Sequence, residues 1–382
     1  MEKHQKRSKI ILMTIVIILL LLAFINPLTN YSSAQAIEPE PYYEPIDRFG
    51  ITVPYNDGLD QLIESINVRA VLDWRLENTN MNLAEGVEYI HVIRVSDAAW
   101  ADGALLTTLS SVVPNHPGDV WIVGNEPDRF YYQDSVTAEV YAQRYYDIAT
   151  LIKSIDATAK IGFGSVVQPT PIRIRYLQKS LDELEKLTNN NKSEAMALID
   201  IWSIHSFILN ELPGQWGAGV PVGFEYDWDD AELITNFADT HSIEKFKERV
   251  IDFRSWMNSI GEKEKPLWIT EYGSLFPPID RDPSDPLYQN YVNISDELTS
   301  KFMIDTFNFM LNTLDSSTGL TIDNNRLVQR WFWYSLNDYR YNFGGTLFDP
   351  DNDNQITVVG IAFKNYTDYL LAEKVYLPLV TK

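Results

Sequence analysis

The chain has 382 residues, of which 45% are apolar, and it carries a formal net charge of −22. This length suits one large barrel domain or two medium domains, and the composition differs from that of disordered or repeat proteins. The excess of negative charge opposes binding to nucleic acid, so we expect no nucleic-acid partner. The chain has no cysteine, which excludes disulfides, thiolate nucleophiles and zinc-thiolate centres.

The N-terminus has the three parts of an export signal. A basic start at residues 3–9 precedes the apolar run 10–23, and residues 34–36 (AQA) form a small-residue cleavage site. We therefore predict a signal peptide over residues 1–36 and a secreted or cell-surface protein, with no membrane contact once the signal is removed. An uncleaved anchor is the alternative, but the apolar run is shorter than the roughly 20 residues that span a bilayer.

Residues 37–47 form a leader rich in proline and glutamate. After it, two kinds of segment alternate along the chain. Short apolar runs alternate with longer amphipathic segments, which is typical of strands alternating with helices. We predict a barrel domain over 48–370 and an apolar C-terminal tail over 371–382. Most strand candidates are near-continuous apolar runs, as expected for parallel strands covered on both faces. The eight candidates are 48–53, 70–76, 89–95, 119–124, 160–166, 200–205, 266–271 and 328–336.

Helical patterns lie between most of these strands, and the clearest are 138–155, 242–260 and 296–314. Eight β units alternating with helices predict a closed (β/α)8 TIM barrel of the α/β class. An open doubly wound sheet fits less well, because no glycine-rich phosphate loop follows the first strand. The long connections 209–239 and 275–292 would lie at the C-terminal mouth of the barrel, where active sites form.

Two of the predicted strands run directly into a glutamate. Glu126 follows the fourth strand within the segment GNEP, and Glu271 ends the seventh strand within WITEYG. The carboxyl ends of barrel strands meet at one face, so these carboxylates would meet at the mouth. Glycosidic bond cleavage needs such a pair, one acid to protonate the leaving oxygen and one carboxylate opposite it. The acid must keep its proton near neutral pH, so the two environments must separate the pKa values.

These segments resemble the motifs of clan A glycoside hydrolases, and families 39 and 128 both have similar N-E-P and W-x-T-E-x-G segments. The resemblance spans roughly residues 48–349. It implies a retaining glycosidase with Glu126 as acid/base and Glu271 as nucleophile, acting on a β-linked glycan by double displacement. We expect a polysaccharide or oligosaccharide as partner, no metal or organic cofactor, and a monomer. A non-catalytic glycan-binding barrel at the cell surface is the alternative of a different class.

The resemblance also implies roles for three polar residues near strand ends, and position alone adds a fourth candidate. Asn125 would hydrogen-bond the substrate hydroxyl beside the anomeric carbon, and His205, at the end of the sixth strand, would orient the nucleophile. Arg94 resembles the basic residue that braces the nucleophile, and Asp73 near the end of the second strand joins it as a candidate for substrate binding. Each has a structural alternative: a turn residue, a satisfied polar group or a rim ion pair.

The eighth strand candidate has four aromatic residues in succession, at 331–334. The resemblance places a tryptophan here as the floor of a sugar subsite, because the C–H face of a pyranose stacks on indole. Alternation puts Trp331 and Trp333 on one side. Trp333 is nearer the C-terminal end and is our candidate, while a purely core role for all four is the alternative. Tyr272 could line the cleft, and four loop aromatics could form distant subsites or pack the loops: Trp216, Phe224, Tyr226 and Trp228.

An acidic stretch at residues 349–354 (DPDNDN) has the look of a calcium loop. It lacks the glycine at the sixth place, and Gly360 stands where the twelfth-place glutamate is required. We therefore predict an acidic turn at these residues.

Overall fold

A computed structural model describes residues 42–54, 57–101, 103–213, 216–276, 294–338 and 343–376. The predicted signal peptide, residues 37–41 of the predicted leader and the end of the predicted tail lie outside the described residues. Among the described residues, none of the helices has the length and apolar character that crossing a bilayer requires.

Eight parallel strands form a closed barrel in sequence order, and β8 closes it by pairing with β1. This architecture confirms the predicted TIM barrel and all eight predicted strands, whose ends shift by a few residues. The strands lie under helices on the outside and around a packed interior, which is why their sequences read as continuous apolar runs. The strands are β1 (Phe49–Thr52), β2 (Ala70–Leu72), β3 (Glu88–Ile93), β4 (Val120–Val123), β5 (Lys160–Val166), β6 (Ile201–His205), β7 (Leu267–Gly273) and β8 (Arg330–Tyr334).

The helices begin where the sequence supplies N-caps. The side chains of Thr137, Ser242 and Ser295 each accept a hydrogen bond from a backbone N–H in the first turn. The three predicted helices are all present, with ends within a few residues of prediction. The helices are α1 (Asp60–Ser65), α2 (Asp97–Trp100), α3 (Ala104–Val112), α4 (Ala138–Ile155), α5 (Pro171–Leu187), α6 (Lys192–Ala197), α7 (Ile243–Ser259), α8 (Asp296–Asn312) and α9 (Val358–Tyr376).

The barrel interior is packed by pairing large side chains with glycines on neighbouring strands. Phe332 of β8 fills the space beside Gly50 of β1, where an added Cβ would lie 2.4 Å from the phenyl ring. Ile122 of β4 fills the space beside Gly162 of β5 in the same way. Phe332 also packs with Trp268 inside the barrel. These pairings determine which face of β8 points inwards.

The acidic stretch forms the turn of a small hairpin, as predicted. Strands β9 (Phe348–Asp349) and β10 (Gln355–Ile356) pair in antiparallel fashion. Asp353 and Asn354 have φ values of 49° and 55°, a region that these residue types tolerate because their short polar side chains hydrogen-bond locally.

Described residues beyond both predicted ends of the barrel domain contact the barrel or continue its last helix. Tyr43, in the predicted leader, packs against the barrel interior, and Arg48 donates from Nη2 to the Tyr43 carbonyl at 2.8 Å. At the other end, α9 runs to Tyr376, beyond the boundary predicted at residue 370. The composition of the leader hid these contacts, because proline and glutamate indicate an extended chain whether or not it packs.

Candidate active site

Glu126 and Glu271 lie together at the C-terminal mouth of the barrel. Glu126 follows β4 with a φ of 46°, and its N–H donates to the Ser165 carbonyl at 3.0 Å. Glu271 lies in β7, and both side chains are buried. One carboxylate oxygen of each lies within 4.8 Å of the other. The two carboxylates are therefore close enough to act on one bound group.

His205 lies between the two glutamates at the end of β6. Its Nδ1 is 3.2 Å from Oε1 of Glu126, and its Nε2 is 3.5 Å from Oε1 of Glu271. Burial opposes the charged form of His205, but the carboxylates of Glu271 and Glu126 outweigh it and raise the pKa of the imidazole. The sequence placed His205 beside the nucleophile alone, whereas the structure places it against both carboxylates.

Two further side chains bind the glutamates, and the sequence did not assign either a role. Arg129 donates from Nη1 to Oε2 of Glu126 at 3.0 Å. Trp74 donates from Nε1 to Oε1 of Glu271 at 2.5 Å, and it adopts a φ of 60° just after β2. Arg129 lies three residues after Glu126 in sequence, so its charge could have been expected near that carboxylate. Trp74 comes from a strand far from β7 along the chain, and local sequence carries no sign of this contact.

These contacts separate the two pKa values. Burial favours the neutral form of Glu126, but the Arg129 charge and the hydrogen bond with His205 lower its pKa to about 2. Burial raises the pKa of Glu271 to about 7, with the Glu126 charge adding to the rise and His205 and Trp74 opposing it. Separation was predicted from the sequence, and in the absence of substrate these contacts favour the ionised form of Glu126 and the protonated form of Glu271.

Activity should therefore depend on a single proton held by the pair. We expect kcat/KM to be highest below pH 7 and to fall about tenfold per pH unit above the Glu271 pKa of about 7, because the pair then loses its only proton. The measurement is kcat/KM against pH on a soluble substrate. A rate that stays constant well above that pH would show that another group supplies the proton.

Asn125 and Arg94 lie at the rim and share Asp134 as a partner. The backbone N–H of Asn125 donates to Oδ2 of Asp134 at 2.7 Å, and its Nδ2 donates to Gln133 at 3.0 Å. Arg94 donates from Nε to Oδ1 of Asp134 at 2.6 Å. The Arg94 charge also lowers the pKa of Glu271, against the larger effect of burial. Asn125 is thus held beside the acid/base candidate, and Arg94 acts on the nucleophile candidate through its charge.

Trp333 and Tyr272 face away from the mouth, which corrects two predictions. Trp333 is fully buried, donates from Nε1 to the Gly345 carbonyl at 2.7 Å, and packs edge-on against Phe307 of α8. Tyr272 is also fully buried and accepts a hydrogen bond from Thr306 of α8. Trp331 and Trp333 do share a side, as predicted, but it is the side that faces the helices, because Phe332 occupies the interior.

Tyr334 is the aromatic residue that β8 presents to the site. It follows Phe332 on the inward face, and its ring lies 6.0 Å from that of Trp74 and 6.1 Å from that of Phe207. Its hydroxyl donates to Asp338 at 2.9 Å. These three rings form an apolar wall near the glutamates, of the kind on which a pyranose ring stacks.

Tyr334→Ala should weaken substrate binding without unfolding the barrel. We expect KM to rise about 5- to 30-fold, equivalent to about 1–2 kcal/mol of lost stacking. The matched variant Trp333→Phe should instead lower the Tm with little change in KM, because Trp333 packs between the barrel and α8. The measurements are KM and Tm for both variants, and the reverse pattern would restore Trp333 as the subsite residue.

Asp73 binds protein donors rather than facing the cleft. It is fully buried, and its carboxylate accepts from Nε of Arg75 at 2.7 Å, from Asn78 at 2.9 Å and from the Tyr89 hydroxyl. The side chain therefore ties down the segment after β2. This corrects its assignment to substrate binding, since a strand-end aspartate looks the same in sequence whether it faces substrate or its own loop.

The long connection after β6 is anchored at the mouth by a buried arginine. Arg173 of α5 donates to Asp128, to Glu211 at 2.8 Å and to the Gly219 carbonyl at 2.6 Å, and it is fully buried. Of the loop aromatics, Trp216 stacks on Phe237 with ring centres 4.1 Å apart and Phe224 is buried. The other two, Tyr226 and Trp228, are exposed. Most of the connection after β7 lies outside the described residues.

The fold is similar to that of solved glycosidases. A family 128 (subgroup I) endo-β-1,3-glucanase from Amycolatopsis mediterranei, in complex with laminaritriose, is 14% identical with a TM-score of 0.50, covering 84% of this chain and 99% of that chain. A family 128 (subgroup III) curdlan-specific exo-β-1,3-glucanase from Blastomyces gilchristii, in complex with glucose, is 15% identical with a TM-score of 0.51, over 84% and 99%.

A monomeric β-xylosidase from Caulobacter crescentus CB15 is 14% identical with a TM-score of 0.51, covering 85% of this chain and 68% of that chain. Neither a family model nor a curated protein sequence matches the chain. At these identities the likeness concerns the fold, and at that level it agrees with the resemblance to clan A barrels.

Proposed function

We propose that this protein is a secreted retaining glycoside hydrolase that cleaves a β-linked glycan. The observation that carries the proposal is the pair of buried glutamates at the barrel mouth, with carboxylate oxygens within 4.8 Å and His205 between them. Two such carboxylates, one ionised and one protonated, are what glycosidic bond cleavage requires. The shared fold with β-glucanases and a β-xylosidase supports the same class.

The first half of the reaction needs the proton on Glu126 and a free carboxylate on Glu271. His205 provides the route, because its Nε2 can take the proton from Glu271 while its Nδ1–H passes to Glu126. Glu271 then attacks the anomeric carbon, the bond to the leaving oxygen breaks, and Glu126 protonates that oxygen. The product of this step is a glycosyl ester on Glu271.

The second half restores a protonated Glu126 and a free carboxylate on Glu271. Glu126, now a carboxylate, takes a proton from water, and the water oxygen attacks the anomeric carbon as the ester bond to Glu271 breaks. Two inversions at the same carbon give net retention. All of this chemistry is acid–base and nucleophilic, so these side chains supply every group that it uses.

A neutral glucan is the substrate class that fits best. The net charge of −22 disfavours polyanionic glycans, and the aromatic wall of Tyr334, Trp74 and Phe207 suits the C–H face of a pyranose. The complexes of the neighbours with laminaritriose and glucose favour β-1,3-glucan as the first candidate. The export signal predicted over residues 1–36 supports secretion, and the N-terminal residue of protein from the culture medium would identify the cleavage point.

The proposal is tested by measuring reducing sugar released from β-1,3-glucan, mixed-linkage β-glucan, xylan, mannan and aryl β-glycosides. The wild type is compared with Glu126→Ala and Glu271→Ala. Turnover by the wild type that both variants lose is the expected result, and it names the substrate class. If all three proteins bind sugar and none turns it over, the protein is a glycan-binding barrel.

A further inference from the structure

A second cluster of chemically active side chains lies on the outer face of the barrel. His91 points outwards from the middle of β3 and stacks on Trp121 with ring centres 4.0 Å apart. The fully described segment between β2 and β3 contains no helix, so the loop after β2 covers this face instead. That loop and the turn before β4 bring Glu77, His116 and Asp119 to His91.

One ring nitrogen of His91 and one of His116 face the carboxylate of Asp119. Nδ1 of His91 lies 2.5 Å from the Leu76 carbonyl, which can only accept, so Nδ1 carries the hydrogen. Its Nε2 lies 3.0 Å from Oδ2 of Asp119. Nε2 of His116 faces Glu77 at 3.4 Å, while its Nδ1 lies 3.3 Å from the same Oδ2 of Asp119.

This arrangement resembles a metal site in which further groups orient the histidine ligands. Histidine ligands of metals usually donate their other N–H to a carbonyl or a carboxylate, as Leu76 and Glu77 allow here. His91 is fully buried, so packing as well as the Leu76 carbonyl holds its ring in this orientation.

We propose that His91 Nε2, His116 Nδ1 and Asp119 Oδ2 bind a divalent cation of the zinc type. Ligand atoms of tetrahedral zinc, bound at about 2.0–2.1 Å, lie roughly 3.3–3.4 Å apart, close to the 3.0 Å and 3.3 Å measured here. All three ligand atoms lie within 4.8 Å of one another. A cavity of about 140 Å³ lies beside this cluster and is lined in part by Glu77 and His116.

The site stabilises the fold and takes no part in the proposed hydrolysis. The site joins the loop after β2 to the turn before β4. No helix lies in the described segment between β2 and β3 to hold that loop in place. Imidazole and carboxylate ligands suit zinc in a chain without cysteine. Binding to the folded state alone raises stability by linkage.

The test is zinc binding by the full chain after chelator treatment, measured by calorimetry and by metal content after gel filtration. We expect one zinc per chain, together with a rise in Tm on adding zinc. His116→Ala and Asp119→Asn should lose both effects, and Glu77→Ala should weaken binding about 10- to 100-fold by freeing the His116 ring. Circular dichroism checks that each variant folds.

The control is Glu126→Gln, because Glu126, His205 and Glu271 form the other cluster able to hold a cation. Unchanged zinc binding by Glu126→Gln supports the outer site. The proposal is overturned if the wild type binds no zinc, if His116→Ala and Asp119→Asn bind it as the wild type does, or if binding is lost only in Glu126→Gln. None of these readouts depends on hydrolytic activity.

Discussion

Glu271→Ala is expected to slow hydrolysis by about 10⁴-fold or more, because the proposed covalent step would lose its nucleophile. Glu126→Ala should cost about 10²- to 10⁴-fold, the usual value of a general acid. Aryl glycosides with good and poor leaving groups separate the two roles. The loss in Glu126→Ala should be largest with poor leaving groups, which need protonation, whereas Glu271→Ala should be impaired with all of them.

Azide provides a stereochemical test of the same assignment. In Glu271→Ala, azide can occupy the vacated space and attack the anomeric carbon once, so the product should be the glycosyl azide of inverted configuration. In Glu126→Ala, azide should instead attack the glycosyl ester on Glu271, which gives the azide of retained configuration. Proton NMR of the anomeric hydrogen distinguishes the two products.

A matched control uses a carboxylate far from the mouth. Glu88 begins β3 at the opposite end of the barrel and pairs with Arg330 at 2.6 Å. Glu88→Gln should leave kcat/KM unchanged within experimental error. Full activity in Glu271→Ala, or exchanged azide products in the two variants, would contradict the roles given to the two glutamates.

The sequence was sufficient for the barrel and for the glutamate pair. Parallel strands covered on both faces must be apolar at nearly every position, so β4 and β7 stand out as short runs between polar segments. Glu126 follows β4 closely and Glu271 lies near the end of β7, and the barrel brings all strand ends to one face. Strand order and residue type thus fix the position of Glu126 and Glu271 before any side-chain contact is known.

The sequence did not show which side chains of β8 point into the barrel. Residues 331–334 are all aromatic, so alternation does not distinguish the inward pair from the outward pair. The answer lies on the neighbouring strand, where Gly50 leaves room for Phe332. The bond from Trp74 to Glu271 is equally non-local, since it joins the segment after β2 to β7. The contact of Arg129 with Glu126 could be predicted from nearby sequence, because the basic residue lies only three positions after the catalytic candidate.

His205→Phe is expected to lower kcat about 10- to 100-fold and to move the pH profile. The phenylalanine keeps a ring in the space but removes the hydrogen bond to Glu126, and a bond to a charged group contributes about 1.5–3 kcal/mol. His205 lowers the pKa of both Glu126 and Glu271. Removing it should raise both, so both limbs of the kcat/KM profile should shift to higher pH.

The direction of the shift separates a positioning role from a merely structural one. If His205 only fills space, His205→Phe should retain the wild-type pH limbs. The matched control is His241→Phe, which removes another buried histidine, one that bonds Ser274 and Thr299. His241→Phe should lower the Tm and leave both limbs of the kcat/KM profile at their wild-type pH. A shift of the His205→Phe alkaline limb to lower pH would show that the imidazole does not stabilise the Glu271 carboxylate, and the proton route through His205 would then be wrong.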